Sequence, residues 1–333
     1  MSVSPPRELA SSIVWDGGVH IENTLLWFDP KRPRDFAVVT GPRKHLGARQ
    51  MRVLRSERTA RLSSAFAGKK VPGLATPFGR TVNLGNLQIE LFPSGYVAGG
   101  ASVLVTLPTG QRLIHSGPFS WTRNASAEAI ETRAADTLIL DATYGAPRYR
   151  FPDRADVGAA LIAWLQEVLA SGGIPVLLVG CPGKAQDLEL LLSESDLSLR
   201  VHRLIRSWNR AYGDAGITIP ETPQFRGHPA RGEVLLWPAH LRRSTAIRNL
   251  RGAQFAACTG AALDAGAEKR LKVNVVFPWS ARADFDGLIR YADATRAREI
   301  VVVGREADTL AQSLQRQGRT ITVLRESRQI PLL

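Results

Sequence analysis

Residues 137–154, TLILDATYGAPRYRFPDR, separate two parts of the chain whose sequence patterns predict different secondary structure. The run Thr137–Ala142 is almost wholly apolar and predicts a buried strand that carries Asp141 near its end. Before it, short β-branched runs such as Ile13–Trp15 and Ser102–Leu107 are separated by Gly, Pro and Asn, which indicates a strand-rich half. After it, strands alternate with amphipathic helices, and this rhythm predicts parallel sheet covered by helices.

Helices are predicted on both sides of this strand. In Ser56–Phe66 apolar residues recur at helical spacing until Gly68 ends the pattern. In Asp156–Ala170 they recur in the same way, and a Gly pair follows. The continuous apolar run Ile174–Gly180 is typical of a buried parallel strand. The C-terminal part continues the alternation with predicted elements at Val273–Phe277, Asp284–Ala297, Glu299–Val303, Ala307–Gly318 and Thr320–Leu324.

The chain of 333 residues is strongly basic, with 43 Lys and Arg against 30 Asp and Glu and a net charge of +13. Lysine supplies only seven of these basic side chains. Because the Arg fork matches phosphate oxygens bidentately, the excess fits a phosphate-rich partner such as nucleic acid. GC-rich codon usage, which places Arg wherever a solvated cation suffices, explains the excess equally well. No apolar run is long enough for a membrane span, and the two cysteines, Cys181 and Cys258, fit a reducing cytoplasm.

Four stretches in order carry a resemblance to a known family. They are FDPKRPRDFAVVTGPRKHLG (28–47), FPSGYVAGGASVLV (92–105) followed by LIHSGPFS (113–120), LILDATYGAPRYRFPDR (138–154), and FPWSARADFDGLIRYADATRAREIVVVG (277–304). Together they resemble the metallo-β-lactamase fold and, within it, the β-CASP nucleases. The third stretch is the most specific, and it is most similar to the bacterial ligase-associated DNA exonucleases, which are themselves similar to mRNA 3′-end processing factors.

The resemblance implies an α/β architecture, the metallo-β-lactamase αββα four-layer sandwich with a β-CASP-type α/β insertion. We expect residues 1–145 to form the first part of the sandwich, 146–255 the insertion, and 256–333 the second part of the sandwich. In active members of the family, His and Asp side chains hold two zinc-type ions that activate a hydroxide against the phosphodiester.

This sequence departs from the family's ligand pattern at almost every position. The residues that stand at the family's site positions are Gly41, Arg43, His45, Leu46, Tyr96, Pro118, Asp141, Arg282 and Gly304. Only Asp141 keeps the family's residue type. Gly, Leu and Pro have no side-chain ligand atom, and Arg does not lose its proton. The sequence therefore predicts no catalytic residue, no metal and no cofactor at these positions.

Basic residues stand where metal ions would have been, so we expect the cleft to keep an attraction for a phosphate backbone. The residues expected to bind nucleic acid are Arg43, Lys44, Arg49, Arg52, Arg55, Lys184 and Arg282. Arg49, Arg52 and Arg55 belong to a run of arginines three residues apart, which is either a phosphate-tracking stripe or a solvated flank. The turn Gly180–Lys184 lacks P-loop spacing, and it is either a one-phosphate site or a plain strand-to-helix turn.

These observations predict a catalytically inactive relative of the β-CASP DNA exonucleases that binds nucleic acid, DNA in preference to RNA, in the cytoplasm. The expected partners are an active homologous nuclease, a DNA ligase or a helicase, and no membrane. One alternative is an active metal-dependent exonuclease or hydrolase with a relocated site at Asp141 with His115 or His45. A second alternative is a protein-interaction scaffold.

Overall fold

The computed structural model describes residues 9–42, 50–316 and 318–325. The strands in this part of the chain are β1 (Ile13–Trp15), β2 (Val19–Ile21), β3 (Trp27–Phe28), β4 (Ala37–Val38), β5 (Val53–Ser56), β6 (Leu74–Thr76), β7 (Thr81–Leu84), β8 (Leu87–Pro93), β9 (Ala101–Thr106), β10 (Arg112–His115), β11 (Thr137–Asp141), β12 (Ile174–Val179), β13 (Ser198–Val201), β14 (Glu233–Pro238), β15 (Ala253–Cys258), β16 (Val275–Phe277), β17 (Glu299–Val303) and β18 (Thr320–Val323).

The α-helices are α1 (Glu57–Ala67), α2 (Arg154–Ala170), α3 (Lys184–Leu192), α4 (Arg203–Asp214), α5 (Thr245–Arg248), α6 (Ala267–Leu271), α7 (Phe285–Thr295) and α8 (Ala307–Gln315). Short 3-10 turns occur at Leu9–Ser12, Ala239–Leu241 and Gly260–Leu263. Among the described residues, none of the helices combines the length and the apolar character that crossing a bilayer requires.

Two sheets pack face to face and enclose the first core of the protein. The first sheet runs in the order β1-β2-β3-β4-β5-β6, and the second in the order β18-β17-β11-β10-β9-β8-β7. Alternate residues of each strand point inward, because side chains change face at every residue. Phe28 and Leu54 of the first sheet thus meet Leu91, Val103 and Val301 of the second, all fully or almost fully buried.

Helices cover the outer face of each sheet. On the second sheet, α7 and α8 bury Leu288, Tyr291 and Leu310 against the strands. On the other side, α1 starts at Ser56, whose Oγ accepts the N–H of Thr59, and ends at a left-handed Gly68. The predicted helix at 56–66 and the predicted αββα sandwich are both confirmed.

A third sheet forms the core of the inserted part. Its order is β13-β14-β12-β15-β16, and every pair is parallel. Helices α2, α3 and α4 cover one face, whereas only the short α5 and α6 lie on the other. This sheet continues to Phe277, past residue 255 where the sequence predicts the insertion to end. The boundaries at 145 and 255 themselves stay predictions.

One aromatic contact joins the insertion to the sandwich. Phe66 of α1 stacks on Trp208 of α4, with ring centroids 4.0 Å apart. Tyr212 and Leu62 are fully buried beside this pair. Because an aromatic pair in a close-packed interface loses many contacts when it separates, these two helices hold the two parts of the chain together.

A buried carboxylate lies inside the insertion, between α3 and α4. Glu189 is 1% exposed, and its Oε2 accepts a hydrogen bond from Asn209 Nδ2 at 2.7 Å. Burial raises the pKa of Glu189 to about 7, although hydrogen bonds from Thr222 and Asn209 act in the opposite direction. The folded protein therefore holds this proton more tightly than the unfolded chain does.

Glu189→Gln tests this burial through the pH dependence of stability. The stabilisation from the bound proton is complete below about pH 4.5 and is lost as the pH rises through 7. A pKa unit corresponds to about 1.4 kcal/mol, so a shift from 4.5 to about 7 amounts to roughly 3–4 kcal/mol. Melting temperatures from pH 5 to pH 8 should fall less for E189Q than for the wild type. The exposed Glu194→Gln is the matched control, and equal pH dependence in all three proteins would contradict the assignment.

Candidate functional site

A cavity of about 270 Å³ opens where strands of both sandwich sheets end. Asp29 follows β3, Pro118 follows β10, Thr143 follows β11 and Gly304 follows β17, and all four line it. Arg282, from the segment between β16 and α7, completes the wall. Parallel strands present their carboxyl ends at one edge of a sheet, so motifs far apart in sequence meet here.

Asp141 and Arg282 form an ion pair in this cavity. Arg282 Nη1 donates to Asp141 Oδ2 at 2.6 Å and to Thr143 Oγ1 at 2.6 Å. The other oxygen, Asp141 Oδ1, accepts the backbone N–H of Thr143 at 3.1 Å and its hydroxyl at 2.5 Å. Both oxygens of the carboxylate are thus engaged by groups of the protein itself. Only 20% of the Asp141 side chain and 25% of the Arg282 side chain are exposed.

The surroundings keep Arg282 charged and fixed. Burial by itself lowers the pKa of its guanidinium, but Asp141 and the phenol groups of Tyr96 and Tyr144 raise that pKa above its usual value. The guanidinium carbon lies 5.4 Å from the centroid of the Tyr96 ring. The backbone N–H of Arg282 donates to Ser280 Oγ at 3.0 Å. A permanent cation therefore occupies one side of the cavity.

Asn124 holds together the two loops that carry these groups. Its Nδ2 donates to the carbonyl oxygens of Gly95, Tyr96 and Ala281, at 2.6, 3.0 and 3.1 Å. Asn124 Oδ1 in turn accepts a hydrogen bond from Arg154 at the start of α2. The position of Arg282 therefore depends on contacts with both the sandwich and the insertion.

The second carboxylate of the cavity, Asp29, is engaged by its neighbouring strand. Asp29 Oδ1 accepts the backbone N–H of Thr40 at 2.9 Å, and Oδ2 accepts the Thr40 hydroxyl. Lys31 adds a cation to the wall. The Asp29 carboxylate thus closes the loop between β3 and β4.

Gly304 has a backbone conformation that excludes most side chains. Its φ is +112°, and a Cβ there would lie 3.3 Å from the backbone of Ala142. Residues with a side chain rarely adopt this conformation, so a metal-binding His would be strained at this position. His115, which also lines the cavity, is buried and stacks on Phe28 with ring centroids 4.5 Å apart.

The donors present do not fit a pair of metal ions. Two zinc-type ions need several imidazoles and carboxylates with free lone pairs. Within the described ranges, no group of three or more His, Cys, Asp or Glu side chains is arranged to hold a metal ion. His45, one of the predicted positions, lies outside those ranges, with Arg43, Lys44, Leu46 and Arg49.

Arg55 belongs to the predicted phosphate-tracking stripe, but its side chain is buried in the structure. Arg55 is 1% exposed, and its Nη2 donates to the carbonyl oxygens of Val71 and Pro72. Burial lowers its pKa. This side chain ties β5 to the segment before β6. Nucleic-acid binding by Arg55 stays a prediction, and it requires the guanidinium to leave these carbonyl groups. Arg52, at the start of β5, is exposed as a binding residue must be.

Lys184 and Arg282 are likewise engaged within the protein. Lys184 Nζ donates to the carbonyl oxygen of Cys258 at 2.9 Å. Burial lowers the pKa of Lys184, and the charge of Arg282 lowers it further. The N–H of Gly183 donates to Gln186 Oε1 at 2.8 Å, so this turn does not present it to a phosphate. Gly183 of this turn is buried, and the other four residues are partly exposed.

A second cavity, of about 310 Å³, lies on the other side of Arg282 between the sandwich and the insertion. Its walls carry Arg154 and Arg290 but also Asp284 and Asp286. The walls of this second cavity, which also includes Arg282, therefore carry both positive and negative side chains.

Sequence reasoning missed three residues of the first cavity: Asp29, Lys31 and Thr143. A signal existed for Thr143, because a hydroxyl two residues after an Asp commonly closes a turn onto that carboxylate. A signal also existed for Asp29, because an Asp before a Pro favours a turn. In the structure Asp29 has a positive φ, which Asp tolerates better than most residues. Of the expected site positions, Pro118, Asp141, Arg282 and Gly304 do converge on this cavity.

Comparisons with known proteins find relatives but no matching family model. A probable DNA ligase of Opitutus terrae is 30% identical over 316 residues, 95% of this chain and 31% of that protein. A probable RNase of Methanocaldococcus jannaschii, MJ4, is 25% identical over 121 residues, 35% of this chain and 28% of that protein. The chain thus spans less than a third of the length of these two relatives.

Solved structures of similar fold include a protein from a bacterium. A protein of unknown function from Enterococcus faecalis V583 superposes with a TM-score of 0.56 and 10% sequence identity. The match covers 87% of this chain and 79% of that one. This likeness concerns the fold alone.

A double-mutant cycle on Asp141→Asn and Arg282→Gln tests the ion pair. Each single change leaves one partly buried charge without its partner and should destabilise the protein by about 2–4 kcal/mol. The double change should cost less than the sum by about 1–3 kcal/mol, because it removes both charges together. Urea denaturation of the four proteins measures these differences. Additive effects would show that the two groups do not interact.

Proposed function

The chain belongs to the metallo-β-lactamase-fold family of β-CASP nucleases, and from the groups that fill its cavity we propose that it is a non-catalytic member that binds nucleic acid. Nucleic-acid processing is the general function of this family. The proposal concerns what this chain retains of that function. The chain keeps the family's fold and carries a net positive charge. It lacks the family's set of metal-binding side chains.

The Arg282–Asp141 ion pair is the observation that carries the proposal. In the family this acid lies at the metal site, and here a guanidinium donates to it at 2.6 Å. A fixed cation substitutes for part of the positive charge that metal ions would supply, but it cannot generate a hydroxide. The alternative of a hydrolase using Asp141 with His115 places both groups in one cavity. This alternative requires the Asp141 carboxylate to act as a base, but both of its oxygens already accept hydrogen bonds from the protein.

Charge and connectivity support nucleic-acid binding. The net charge of +13 attracts a polyanion over the whole surface. Because Lys184, Arg55 and Arg282 are engaged inside the protein, the proposed contacts are Arg43, Lys44, Arg49 and Arg52. The segment 43–52 follows Thr40, which lies against Gly117 at the rim of the cavity. The chain thus enters this segment from the rim of the cavity.

We also propose a DNA ligase as a partner, with DNA as the preferred nucleic acid. The support is the Opitutus protein, in which nearly all of this chain matches about a third of a longer protein named as a ligase. Two activities joined in one protein commonly act on the same substrate. A homologous nuclease or a helicase as partner, and the cytoplasm as location, stay predictions.

Cleavage assays test the absence of catalysis. Labelled single-stranded and double-stranded DNA and RNA are incubated with the full chain and either Mn²⁺ or Zn²⁺, beside D141N as the matched control. We expect no cleavage above that of D141N, since no described group generates a nucleophile. Metal-dependent cleavage that D141N abolishes would refute the proposal and favour the hydrolase.

The salt dependence of DNA affinity tests the proposed contacts. Each phosphate contact on a single strand contributes roughly 0.7 to the slope of log K against log salt. Changing Arg43, Lys44, Arg49 and Arg52 to Ala should therefore lower the slope by about 3 and weaken binding at low salt.

A control of equal charge separates a defined site from diffuse attraction. Arg203, Arg210, Arg226 and Arg231 are exposed in the insertion, and their change to Ala removes the same number of charges. This control should keep most of the slope. Equal losses in both variants would show that no defined contact exists at 43–52.

A further inference from the structure

A second concave site lies on the insertion, on the face of the third sheet that carries only short helices. We call it the basic pocket. It has a volume of about 200 Å³ and is lined by Leu178, Arg242, Arg243, Arg248, Phe255 and Lys272. It shares no lining residue with the Asp141–Arg282 cavity.

The fold explains why this face is open. Helices α2, α3 and α4, with nine to seventeen residues each, cover the opposite face of the sheet. On the pocket side, α5 has four residues and α6 has five. Two such short helices leave Phe255 partly exposed, whereas Leu178 is buried.

The rim of the basic pocket carries four positive charges. Arg242 is half-buried, whereas Arg243, Arg248 and Lys272 are exposed. No acidic side chain lines the pocket. Among the residues that the structure describes, these four groups make neither an ion pair nor a side-chain hydrogen bond. Arg270 lies two residues from Lys272, and it pairs with Asp264 at 2.7 Å.

Four cations around one small pocket repel one another unless an anion lies between them. Arginines bind phosphate oxygens in pairs of parallel hydrogen bonds, which makes a phosphate the best-matched anion. The rim therefore favours a phosphate group over a single carboxylate.

The floor of the pocket is apolar and partly aromatic. Leu178 on β12 and Phe255 on β15 belong to one cluster on the same face of the sheet. Strands β12 and β15 are neighbours, and Val176 is the register partner of Phe255. An aromatic ring next to cations is the combination that binds a base and its phosphate, because bases stack on aromatic rings.

We propose that the basic pocket binds one nucleotide, with its phosphate on the arginines and its base on Phe255. The pocket is smaller than the roughly 300–1,000 Å³ of sites that enclose a whole drug-sized ligand, so it holds part of the nucleotide and leaves the rest outside. The nucleotide is either free in solution or part of a nucleic-acid strand. Binding of a nucleotide within a strand, the strand form, rests on the proposed nucleic-acid binding. Binding of a free nucleotide, the free form, does not.

Calorimetric titration of the full chain with adenosine 5′-monophosphate tests the free form. The wild type should bind it saturably. Arg243→Ala with Arg248→Ala should weaken binding about tenfold or more, because both exposed rim arginines are lost without disturbing the core. Arg226→Ala with Arg231→Ala, exposed arginines of the insertion outside the pocket, should stay within about twofold of the wild type.

Phe255→Leu separates the base from the phosphate. This change keeps the floor apolar and removes the ring, so it should weaken adenosine 5′-monophosphate and leave inorganic phosphate unchanged. If polyglutamate displaces the nucleotide and F255L has no effect, the pocket binds acidic peptides and the nucleotide assignment is wrong.

A short single-stranded oligonucleotide tests the strand form with the same variants. If the free nucleotide does not bind but the R243A/R248A change weakens the oligonucleotide about tenfold relative to its control, the pocket holds a nucleotide of a strand. If both ligands bind the pocket variant and its control equally, the proposal is overturned. If the free nucleotide binds the pocket but no nucleic acid binds the protein, the pocket assignment stands and the proposed function is rejected.

Discussion

The contact between Arg282 and Asp141 joins two segments that are 141 residues apart, and it determines the chemistry of the cavity. Within a partly buried site, each charge stabilises the other, so neither is available to an outside ion without a cost. Thr143 satisfies the remaining oxygen of the carboxylate. The site is therefore internally neutralised, in contrast to a ligand set whose negative charge requires metal ions.

The ion pair is a product of how the insertion docks on the sandwich. Arg154, at the start of α2, donates to Asn124 of the sandwich, to Asp187 of α3 and to the carbonyl oxygen of Ser280. Asn124 then fixes the loop before Arg282. Because these hydrogen bonds cross between the two parts of the chain, the cavity and the relative position of the parts are one structural unit. The basic pocket lies outside this unit, which lets two sites with different ligands exist on one chain.

The sequence was a good guide to the strands and to the convergence of Pro118, Asp141 and Gly304, because strand ends meet at a sheet edge whatever their side chains. It was a poor guide to the direction of long basic side chains. Arg55 shares its spacing with exposed arginines, yet its strand position turns it inward to two carbonyl groups. Lys184 follows a glycine-rich turn, yet it donates to the carbonyl of a neighbouring strand. Tertiary packing determines where these long basic side chains point. The spacing of residues along the chain does not reveal it.

The most direct test of the central claim is diffraction from crystals grown with excess Zn²⁺, with anomalous data collected at the zinc absorption edge. The account predicts no anomalous peak in the cavity, and the Arg282 guanidinium in hydrogen-bond contact with the Asp141 carboxylate. Two zinc peaks beside Asp141, with Arg282 displaced from it, would contradict the account.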